Sequence, residues 1–222
     1  VMREGCDAAF VSLLCAAHQH IRLRDASVPV PGVIATLKGK TWCVCKDGAG
    51  TDRVLWLLSW LEGAEYSRFR PHSLSLAAGI GNALARLDHA LRDFTHPALR
   101  RDFKWNLLQA DWIGGHLAEI ADANRRALVE RVLGRYLALQ PALLAEPLAV
   151  IHNDLNDFNL LVGCPADGTP VVTGIIDFGD MTEGALVAEV AITGAYLVLE
   201  HPTPEQVLTE FIAAYHRVTP LS

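Results

Sequence analysis

Two short polar segments, each lying between brief apolar runs, constrain the fold of this chain more than any other feature. Residues 152–159 read His-Asn-Asp-Leu-Asn-Asp-Phe-Asn, and residues 177–183 begin with Asp-Phe-Gly-Asp. The apolar runs at 148–151, 160–162 and 171–176 have the length of short buried strands. Polar loops held between such strands are where a rigid scaffold presents reactive groups. The sequence therefore predicts a functional site built from these two loops.

The rest of the chain predicts a small sheet followed by a mostly helical region. Residues 2–22 carry apolar side chains at helical spacing, and Pro29-Val30-Pro31 then favours extended backbone. Pro141 is expected to kink or end the helix in which it lies. The predicted fold is thus α+β, divided into residues 1–62 and residues 63–222. Strands are predicted over 32–37, 41–46 and 53–60, and later helices over 76–94, 115–145, 184–200 and 204–217.

The composition limits the classes of partner. Hydrophobic residues make up 51% of the chain and charged residues 20%, which is atypical of a disordered protein. The net charge of -6 argues against nucleic-acid binding, for which a basic surface is typical. The apolar stretch 184–199 contains Glu189 and is short for a membrane span, so we expect no membrane partner. With no signal peptide recognisable, a cytoplasmic location is expected.

The cysteines do not indicate a disulfide framework or a zinc site. Their number is five, and they are scattered along the chain. Cys43-Val44-Cys45 has the wrong spacing for a zinc knuckle. In an alternating strand both of these thiols would point to one face, and we predict that they are buried there as small apolar side chains.

The polar residues of the two loops suit phosphoryl transfer. That reaction requires ligands for a divalent metal and a carboxylate that orients the attacking hydroxyl. Mg²⁺ binds oxygen donors and retains several waters, so one or two carboxylates and an amide are sufficient. Asp154, Asn159 and Asp177 provide these groups. Because Asp154 and Asn159 are separated along one loop, one can face a substrate while the other faces a metal.

The same residues resemble a known family. His-x-Asp-x-x-x-x-Asn followed by Asp-Phe-Gly is similar to the paired loops of protein-kinase-like enzymes, within the aminoglycoside phosphotransferase and choline kinase branch. Residues 151–162, 174–184 and 189–193 look most similar to hydroxylysine kinases and to the kinase domains fused to class III aminotransferases. Weaker similarity extends over most of the chain, including Asp102-Phe103-Lys104-Trp105-Asn106.

The resemblance implies a protein-kinase-like fold, with a truncated small antiparallel sheet as the N-terminal lobe and a mainly helical C-terminal lobe that carries short catalytic hairpins. It implies Mg²⁺ as cofactor and ATP or GTP as phosphoryl donor. It implies that Asp154 is the base and that His152 braces the loop. Asn159 and Asp177 are implied as metal ligands, and the nucleotide site is implied at Ser59, Trp60, Leu61 and Glu62. Glu189 is implied as an acceptor of backbone N–H bonds from the catalytic loop, and the alternative for it is a carboxylate that simply reaches solvent.

Acidic residues beside the catalytic loop suggest the charge of the acceptor. Asp157, Asp180 and Glu183 lie within or next to the two polar segments. We expect them to attract the ammonium group of a small, cationic hydroxyl acceptor. The few residues between Asp177 and the next helix leave no room for a peptide-docking segment, which also favours a small molecule. Asn153 stands where protein kinases have Arg and small-molecule kinases often have Gly, so regulation by a phosphorylated loop is not expected.

The phosphate-binding half of the family pattern is not found. No Gly-x-Gly-x-x-Gly precedes the first helix, and the nearby lysines, Lys38, Lys40 and Lys46, all follow it. In this family pattern an acidic residue of the helix pairs with that lysine, and here it could be either Glu4 or Asp7. We therefore expect a fragment of a longer protein, in which the domain could be fused to further domains.

Three hypotheses follow for the function. The leading one is a kinase that transfers a nucleotide γ-phosphate to the hydroxyl of an amino alcohol or hydroxy-amino acid, with a hydroxylysine-like, aminoglycoside-like or choline-like acceptor. The alternative is a catalytically impaired, pseudokinase-like module, which the absence of the glycine-rich loop and of the lysine favours. A metal-dependent hydrolase would require clustered histidine ligands, but His72, His89, His96 and His116 are not spaced as a metal site.

Overall fold

The computed structural model describes residues 7–101, 103–166 and 168–221 and has the α+β architecture that was predicted. Helices of the 3₁₀ type cover Pro97–Leu99, Leu107–Glu119, which is kinked at Gln109, and Phe178–Asp180. The α-helices are α1 (Ala8–Arg24), α2 (Leu74–Leu91), α3 (Ala123–Ala145), α4 (Leu186–Leu197) and α5 (Pro204–Val218). The strands are β1 (Val33–Ile34), β2 (Trp42–Lys46), β3 (Asp52–Leu58), β4 (Ala64–Glu65), β5 (Leu148–Ile151), β6 (Leu160–Gly163), β7 (Val171–Ile175) and β8 (Thr182–Ala185).

The first sheet is antiparallel, as the sequence predicted, with the order β1-β3-β2. Gly39 in the first connection has a φ of 74°, a left-handed conformation that glycine adopts without steric cost. In the second connection, the Asp47 carboxylate accepts bonds from the N–H groups of Ala49 and Thr51 at 2.9 and 3.0 Å. These two turns therefore fix the register of the sheet.

The other two sheets position the polar segments. Strand β5 pairs with β8, whereas β6 pairs with β7 and with β4. Residues 152–159, which we name the polar loop, connect β5 to β6. Residues 177–181, which we name the Asp177 turn, follow β7 and lead into β8. Because both connections pass between the same two sheets, the polar loop and the Asp177 turn lie side by side.

A helical core supports the strands that carry these loops. Helix α2 packs closely along α5, where a Cβ on Gly81 would lie 2.2 Å from the carbonyl oxygen of Phe211. Ile80, Leu84 and Phe211 have no exposed area. Helix α2 also contacts β5 and β7. Burial of these side chains therefore stabilises the scaffold directly behind the loops.

Side-chain caps determine where three of the helices begin. Asp7, Ser73 and Asp122 each accept a hydrogen bond from an N–H of the following turn, at 2.9, 3.2 and 2.8 Å. A cap of this kind contributes about 1 kcal/mol. Of the two acids considered as partners for a lysine, Asp7 has this capping position, and Glu4 lies outside the described residues.

Several predicted elements had the wrong boundaries. The helix predicted over 115–145 begins only at Ala123, because Asp122 caps it, and Pro141 does not end it. The helix predicted from 184 begins at Leu186, because the preceding residues form β8 through backbone pairing with β5. Helix α1 begins at Ala8, and residues 2–6 of the predicted helix lie outside the described residues.

The predicted burial of the Cys43 and Cys45 side chains was wrong. Both are exposed, as are all residues of β2 from Cys43 to Lys46, so neither face of this part of the strand is covered. Alternation along a strand therefore did not produce a buried face here. Within the described ranges, no helix is both long and apolar enough to cross a membrane.

Candidate active site

His152 holds the polar loop against the end of β7. Its ring is buried, with Nε2 3.0 Å from the carbonyl oxygen of Ile176 and Nδ1 3.3 Å from the backbone nitrogen of Asp154. Burial lowers the pKa of His152 to about 4. The imidazole is therefore neutral near pH 7, with Nε2 donating to Ile176 and Nδ1 accepting from Asp154. Both ring nitrogens are thus used in bonds to backbone groups.

Glu189 is fully buried and bonded to the polar loop. Its Oε2 accepts a hydrogen bond from the backbone N–H of Asn153 at 2.7 Å. The alternative of a carboxylate that reaches solvent is excluded, because Glu189 has no exposed area. Burial and the charge of Asp154 raise the pKa of Glu189 to about 7, opposed by the bond from Asn153. Helix α4 thus anchors the loop through a single carboxyl side chain.

A second carboxyl is buried behind Glu189. Asp88 of α2 accepts a 2.6 Å hydrogen bond from the hydroxyl of Tyr215 in α5. Burial and the charge of Glu189 raise the pKa of Asp88. Because each carboxylate disfavours ionisation of the other, the pair titrates as a unit and favours retention of a proton.

Asn153 adopts a backbone conformation that few residues tolerate. Its φ is 67°, and its side-chain amide donates to the carbonyl oxygen of Trp105 at 3.2 Å. Gly adopts this left-handed region freely and Asn adopts it more readily than most residues. The conformation explains why Asn can stand where small-molecule kinases often have Gly.

Asp154 is held in place by two asparagines. Asn156 Nδ2 donates to Asp154 Oδ1 at 3.0 Å, while Asn159 Nδ2 donates to the carbonyl oxygen and to Oδ2 of Asp154 at 2.8 and 3.2 Å. Burial, together with the charge of Asp177, raises the pKa of Asp154. Sequence reasoning missed Asn156, whose Oδ1 also accepts bonds from the N–H groups of Phe158 and Asn159 at 2.8 and 3.1 Å.

The Asp177 turn exposes its first residue and buries its second. Asp177 is exposed, with φ 60° and ψ 67°, and its Oδ1 accepts a bond from the N–H of Gly179 at 3.3 Å. The Phe178 ring is buried and meets the rings of His18 and His152 edge-on, each at a centroid distance of 4.6 Å. The packing of Phe178 therefore directs Asp177 outward.

Arg101 also contacts the Asp177 turn, and sequence reasoning missed it. Its Nη2 donates to the carbonyl oxygens of Gly179 and Met181 at 2.9 and 3.1 Å. The available signal was its position next to the similar segment 102–106, of which Asp102 lies outside the described residues.

A cavity of about 540 Å³ lies between the first sheet, α1 and the Asp177 turn. Of the predicted nucleotide-binding residues, Ser59, Trp60 and Leu61 line it, whereas Glu62 does not. The Ser59 hydroxyl is occupied in accepting the N–H of Gly32 at 2.8 Å. The remaining lining residues are Phe10, Leu14, His18, Pro31, Trp56, Leu58, Gly63, Glu65, Leu161, Ile176, Asp177, Phe178 and Gly179. This mostly apolar pocket, with the carboxylates of Glu65 and Asp177 in its lining, suits a planar base and a metal-chelated phosphate.

A second cavity, of about 580 Å³, lies on the Asp154 side of the loops. Asp154 and Asp180 provide its carboxylates. The other lining residues are Trp105, Leu107, Asn153, Ile192, Ala195, Tyr196 and Leu199. The combination of acidic and aromatic groups suits a small cationic ligand with an apolar part.

The predicted substrate-binding residues are not all brought together. Asp180 shares the second cavity with Asp154, but neither Asp157 nor Glu183 lines it. The Asp157 carbonyl accepts the N–H of Ser67 at 2.9 Å, on the side of β4. Glu183 lies in β8, and its carbonyl accepts a bond from the Asn106 amide at 3.0 Å.

A larger groove of about 1030 Å³ runs along residues 36–44, away from both loops. One continuous segment of the edge of the first sheet forms it, and its lining contains no carboxylate. Neither loop contributes to this groove. The two smaller cavities, which the loops do line, are therefore the better candidates for the active site.

The donor groups fit a magnesium ion. Both hydrogen bonds of the Asn159 amide use Nδ2, which leaves its oxygen available, and the exposed Asp177 carboxylate is an oxygen donor. Burial and the charges of Asp154 and Asp177 raise the pKa of Asp180, so these carboxylates form an electrostatically unfavourable group that a cation would stabilise. No cluster of three or more His, Cys, Asp or Glu ligands occurs in the part of the chain that the structure describes. Water and phosphate would therefore supply the remaining ligands, as is usual for Mg²⁺.

Comparison with known families gives a match over nearly the whole chain. The model of the phosphotransferase enzyme family matches residues 9–221. Hydroxylysine kinase of Mus musculus is 31% identical over 217 residues, which cover 92% of this chain and 57% of that protein. The chain thus spans little more than half the length of this relative.

Solved structures share the fold. The microcompartment-associated aminopropanol kinase superposes with a TM-score of 0.68 at 19% identity, covering 100% of this chain and 69% of that one. An amicoumacin kinase in complex with AMP-PNP, Ca²⁺ and Ami gives a TM-score of 0.67 at 14% identity, covering 97% and 64% of the two chains. These similarities confirm the predicted kinase-like fold.

Proposed function

Because this chain belongs to the phosphotransferase enzyme family, we propose that it forms the base- and metal-binding part of a small-molecule kinase. The reaction is transfer of the γ-phosphate of ATP or GTP to the hydroxyl of an amino alcohol or hydroxy-amino acid. Similarity to hydroxylysine kinase, at 31% identity, supports this class of acceptor.

One observation carries the proposal. Asp177 lines the cavity beside the first sheet, Asp154 lines the cavity on the other side of the loops, and the charge of Asp177 raises the pKa of Asp154. A donor and an acceptor that occupy the two cavities would approach each other between these carboxylates. That is the geometry required when a hydroxyl attacks a metal-chelated phosphate.

In this proposal Asp154 accepts the proton of the acceptor hydroxyl, and Asn156 and Asn159 fix the direction of its carboxylate. The oxygens of Asn159 and Asp177 hold Mg²⁺, which would neutralise the phosphates when bound. His152 and Glu189 hold the polar loop in position through their hydrogen bonds to Ile176 and Asn153. The nucleobase of the donor lies in the cavity lined by Ser59, Trp60 and Leu61.

The second cavity supports a cationic acceptor. Asp180 lines the same cavity as Asp154, so an ammonium group can pair with it while the hydroxyl faces Asp154. The rings of Trp105 and Tyr196 provide apolar contact, and Tyr196 also provides a cation–π surface, whereas the ammonium of Lys104 already lies 4.6 Å from the centroid of the Trp105 ring. Of the acidic residues that the sequence suggested, Asp180 is thus the one best placed to bind the substrate.

Direct transfer assays test the proposal. The chain is incubated with Mg²⁺, γ-labelled ATP or GTP, and hydroxylysine, aminopropanol, choline or an aminoglycoside, and phosphorylated acceptor is measured. We expect Asp154→Asn to lower the rate at least about 100-fold, because the base is lost. Asp111→Asn, an exposed aspartate on the 3₁₀ helix, is the matched control and should retain the wild-type rate. Retention of the wild-type rate by Asp154→Asn would overturn the assignment.

A catalytically impaired module is the second candidate, and one observation favours it. Neither cavity is lined by a lysine. Lys38 and Lys40 line the remote groove, and Lys46 is bonded to Asp52 at 3.0 Å. Thermal shift with Mg²⁺-nucleotide separates the candidates, because a chain that binds nucleotide is stabilised by mass action. No shift, together with no transfer to any acceptor, would favour the impaired module.

A further inference from the structure

Arg101 is bonded to the C-terminal end of the Phe178–Asp180 helix in the Asp177 turn. The same nitrogen, Nη2, donates to the carbonyl oxygens of Gly179 and Met181, which flank Asp180. Arg101 itself lies far away in the sequence, between α2 and the 3₁₀ helix Leu107–Glu119. Two bonds from one rigid group restrict the turn more than two independent side chains would.

Two aromatic rings fix the guanidinium. Its Cζ lies 4.7 Å from the ring centroid of Phe10 and 4.3 Å from that of Phe103. Each contact is a cation–π interaction, which is stronger for a partly desolvated arginine. Because Phe10 belongs to α1, Arg101 links this helix to the Asp177 turn.

The charge of Arg101 also opposes the repulsion within the site. Burial and the charges of Asp154 and Asp177 raise the pKa of Asp180, and the charge of Arg101 lowers it. Burial lowers the pKa of Arg101, which the charge of Asp180 opposes. A cation beside Asp180 therefore reduces the repulsion among Asp154, Asp177 and Asp180 before a metal arrives.

We propose that Arg101 is a positioning residue, which holds the Asp177 turn in the conformation that binds the metal and couples that conformation to the position of α1. This inference rests on the proposed function, because it takes Asp177 to be a metal ligand. Arg101 does not touch the metal or the substrates in this account. It acts through the carbonyl groups of Gly179 and Met181.

The residue requires the shape of arginine as well as its charge. Lysine would retain a positive charge near Asp180 but has neither the planar group that stacks on two rings nor the fixed fork of donors. Glutamine would lose the charge too. We therefore expect any property that depends on the conformation of the turn to be weakened by lysine at position 101 and weakened further by glutamine.

The test measures metal affinity, with Mn²⁺ as the probe. Free Mn²⁺ is followed by electron paramagnetic resonance in the presence of a non-hydrolysable ATP analogue, well below the melting temperature. We expect the Kd for Mn²⁺ to rise about 10-fold in Arg101→Gln and less in Arg101→Lys, as for other residues that orient metal ligands. Arg100→Gln, the exposed neighbour, is the matched control and should leave the Kd unchanged.

The variants separate the possible results. If Asp177→Asn leaves the Kd for Mn²⁺ unchanged, the metal assignment in the proposed function is wrong. If Asp177→Asn weakens binding but Arg101→Gln and Arg101→Lys do not, the role of Arg101 is wrong and the proposed function stands. A lower melting temperature with an unchanged Kd would mean that Arg101 is only structural and would overturn the inference. Should Arg101→Gln fail to fold by circular dichroism, Arg101→Lys decides the question alone.

Discussion

The polar loop and the Asp177 turn connect the same two sheets, but they are held in different ways. The polar loop is braced by buried side chains, since His152 and Glu189 have no exposed area and bond to its backbone. The Asp177 turn starts with an exposed residue and is tied mainly by Phe178 packing and by Arg101. The loop that carries Asp154, the proposed base, is therefore part of the core, whereas the turn that carries Asp177, one of the two proposed metal ligands, depends on contacts from its surroundings.

The difference predicts that changes near the polar loop alter stability, whereas changes near the Asp177 turn alter metal binding. A base must keep its direction through the reaction, and rigid support from the core provides this. A metal ligand must admit an ion and its phosphates, which an exposed carboxylate allows.

The largest expected effect is that of Glu189→Ala. It leaves the N–H of Asn153 buried without a partner, which we expect to lower the free energy of unfolding by about 3 kcal/mol. At the acidic end of the pH range, where Glu189 is protonated in the fold, Glu189→Gln keeps an oxygen acceptor of similar shape and should cost about 1 kcal/mol or less. Urea denaturation of both variants measures the difference. Equal midpoints for Ala and Gln would show that the bond to Asn153 contributes nothing.

The second effect is a dependence of stability on pH. The pKa of Glu189 is raised to about 7 in the fold, above its ordinary value of 4.5, so its contribution to stability is present below about pH 4.5 and is lost as the pH rises through 7. Glu189→Gln cannot ionise, so it should gain stability relative to the wild type over this window. Asp88, Asp154 and Tyr215 are the titratable groups that face the site. Denaturation curves across the window check this, and a constant difference between the two proteins would contradict it.

Substitutions of Asn153 should change the stability by an intermediate amount. Asn153→Gly and Asn153→Ala both remove the amide bond to Trp105, but only Ala must adopt a φ of 67° with a Cβ. We expect Ala to be less stable than Gly by about 1 kcal/mol. The comparison is made in thermal denaturation, where Ala matching Gly would mean that the loop relaxes to another conformation.

The smallest effect on stability is expected for Gly179→Ala, in the Asp177 turn. A Cβ there would lie 3.0 Å from Oδ1 of Asp177, so the carboxylate must shift. The free energy of unfolding should change by no more than about 0.5 kcal/mol, because Asp177 is exposed and can move. Mn²⁺ binding should nevertheless weaken, by up to about 10-fold. A large loss of stability with normal Mn²⁺ binding would reverse the proposed difference between loop and turn.

Local sequence patterns predicted much of the fold and of the candidate site. The three strands of the first sheet and the hairpin of β6 and β7 follow apolar runs with turn residues between them. Glu189 was recognisable as a charge in an otherwise apolar helix. The Asp122 cap of α3 could have been read from the sequence as well.

Other features depend on tertiary contacts that no local pattern reports. Strand β8 contains Thr, Glu, Gly and Ala, and its partner β5 lies more than thirty residues earlier, as the pairing of Leu148 with Ala185 shows. The exposure of Cys43 and Cys45 depends on whether other elements cover the faces of β2, and they do not. Arg101 bonds to carbonyl oxygens 78 and 80 residues away, so its place could be found only in the structure.

The most direct test of the central claim is a crystal structure of the chain with Mn²⁺ and a non-hydrolysable ATP analogue, with the metal located by its anomalous signal. The account predicts a Mn²⁺ peak about 2.1 Å from oxygens of both Asn159 and Asp177, with the γ-phosphate directed towards Asp154. A peak held elsewhere, or a nucleotide bound away from the cavity of Ser59 and Leu61, would contradict it.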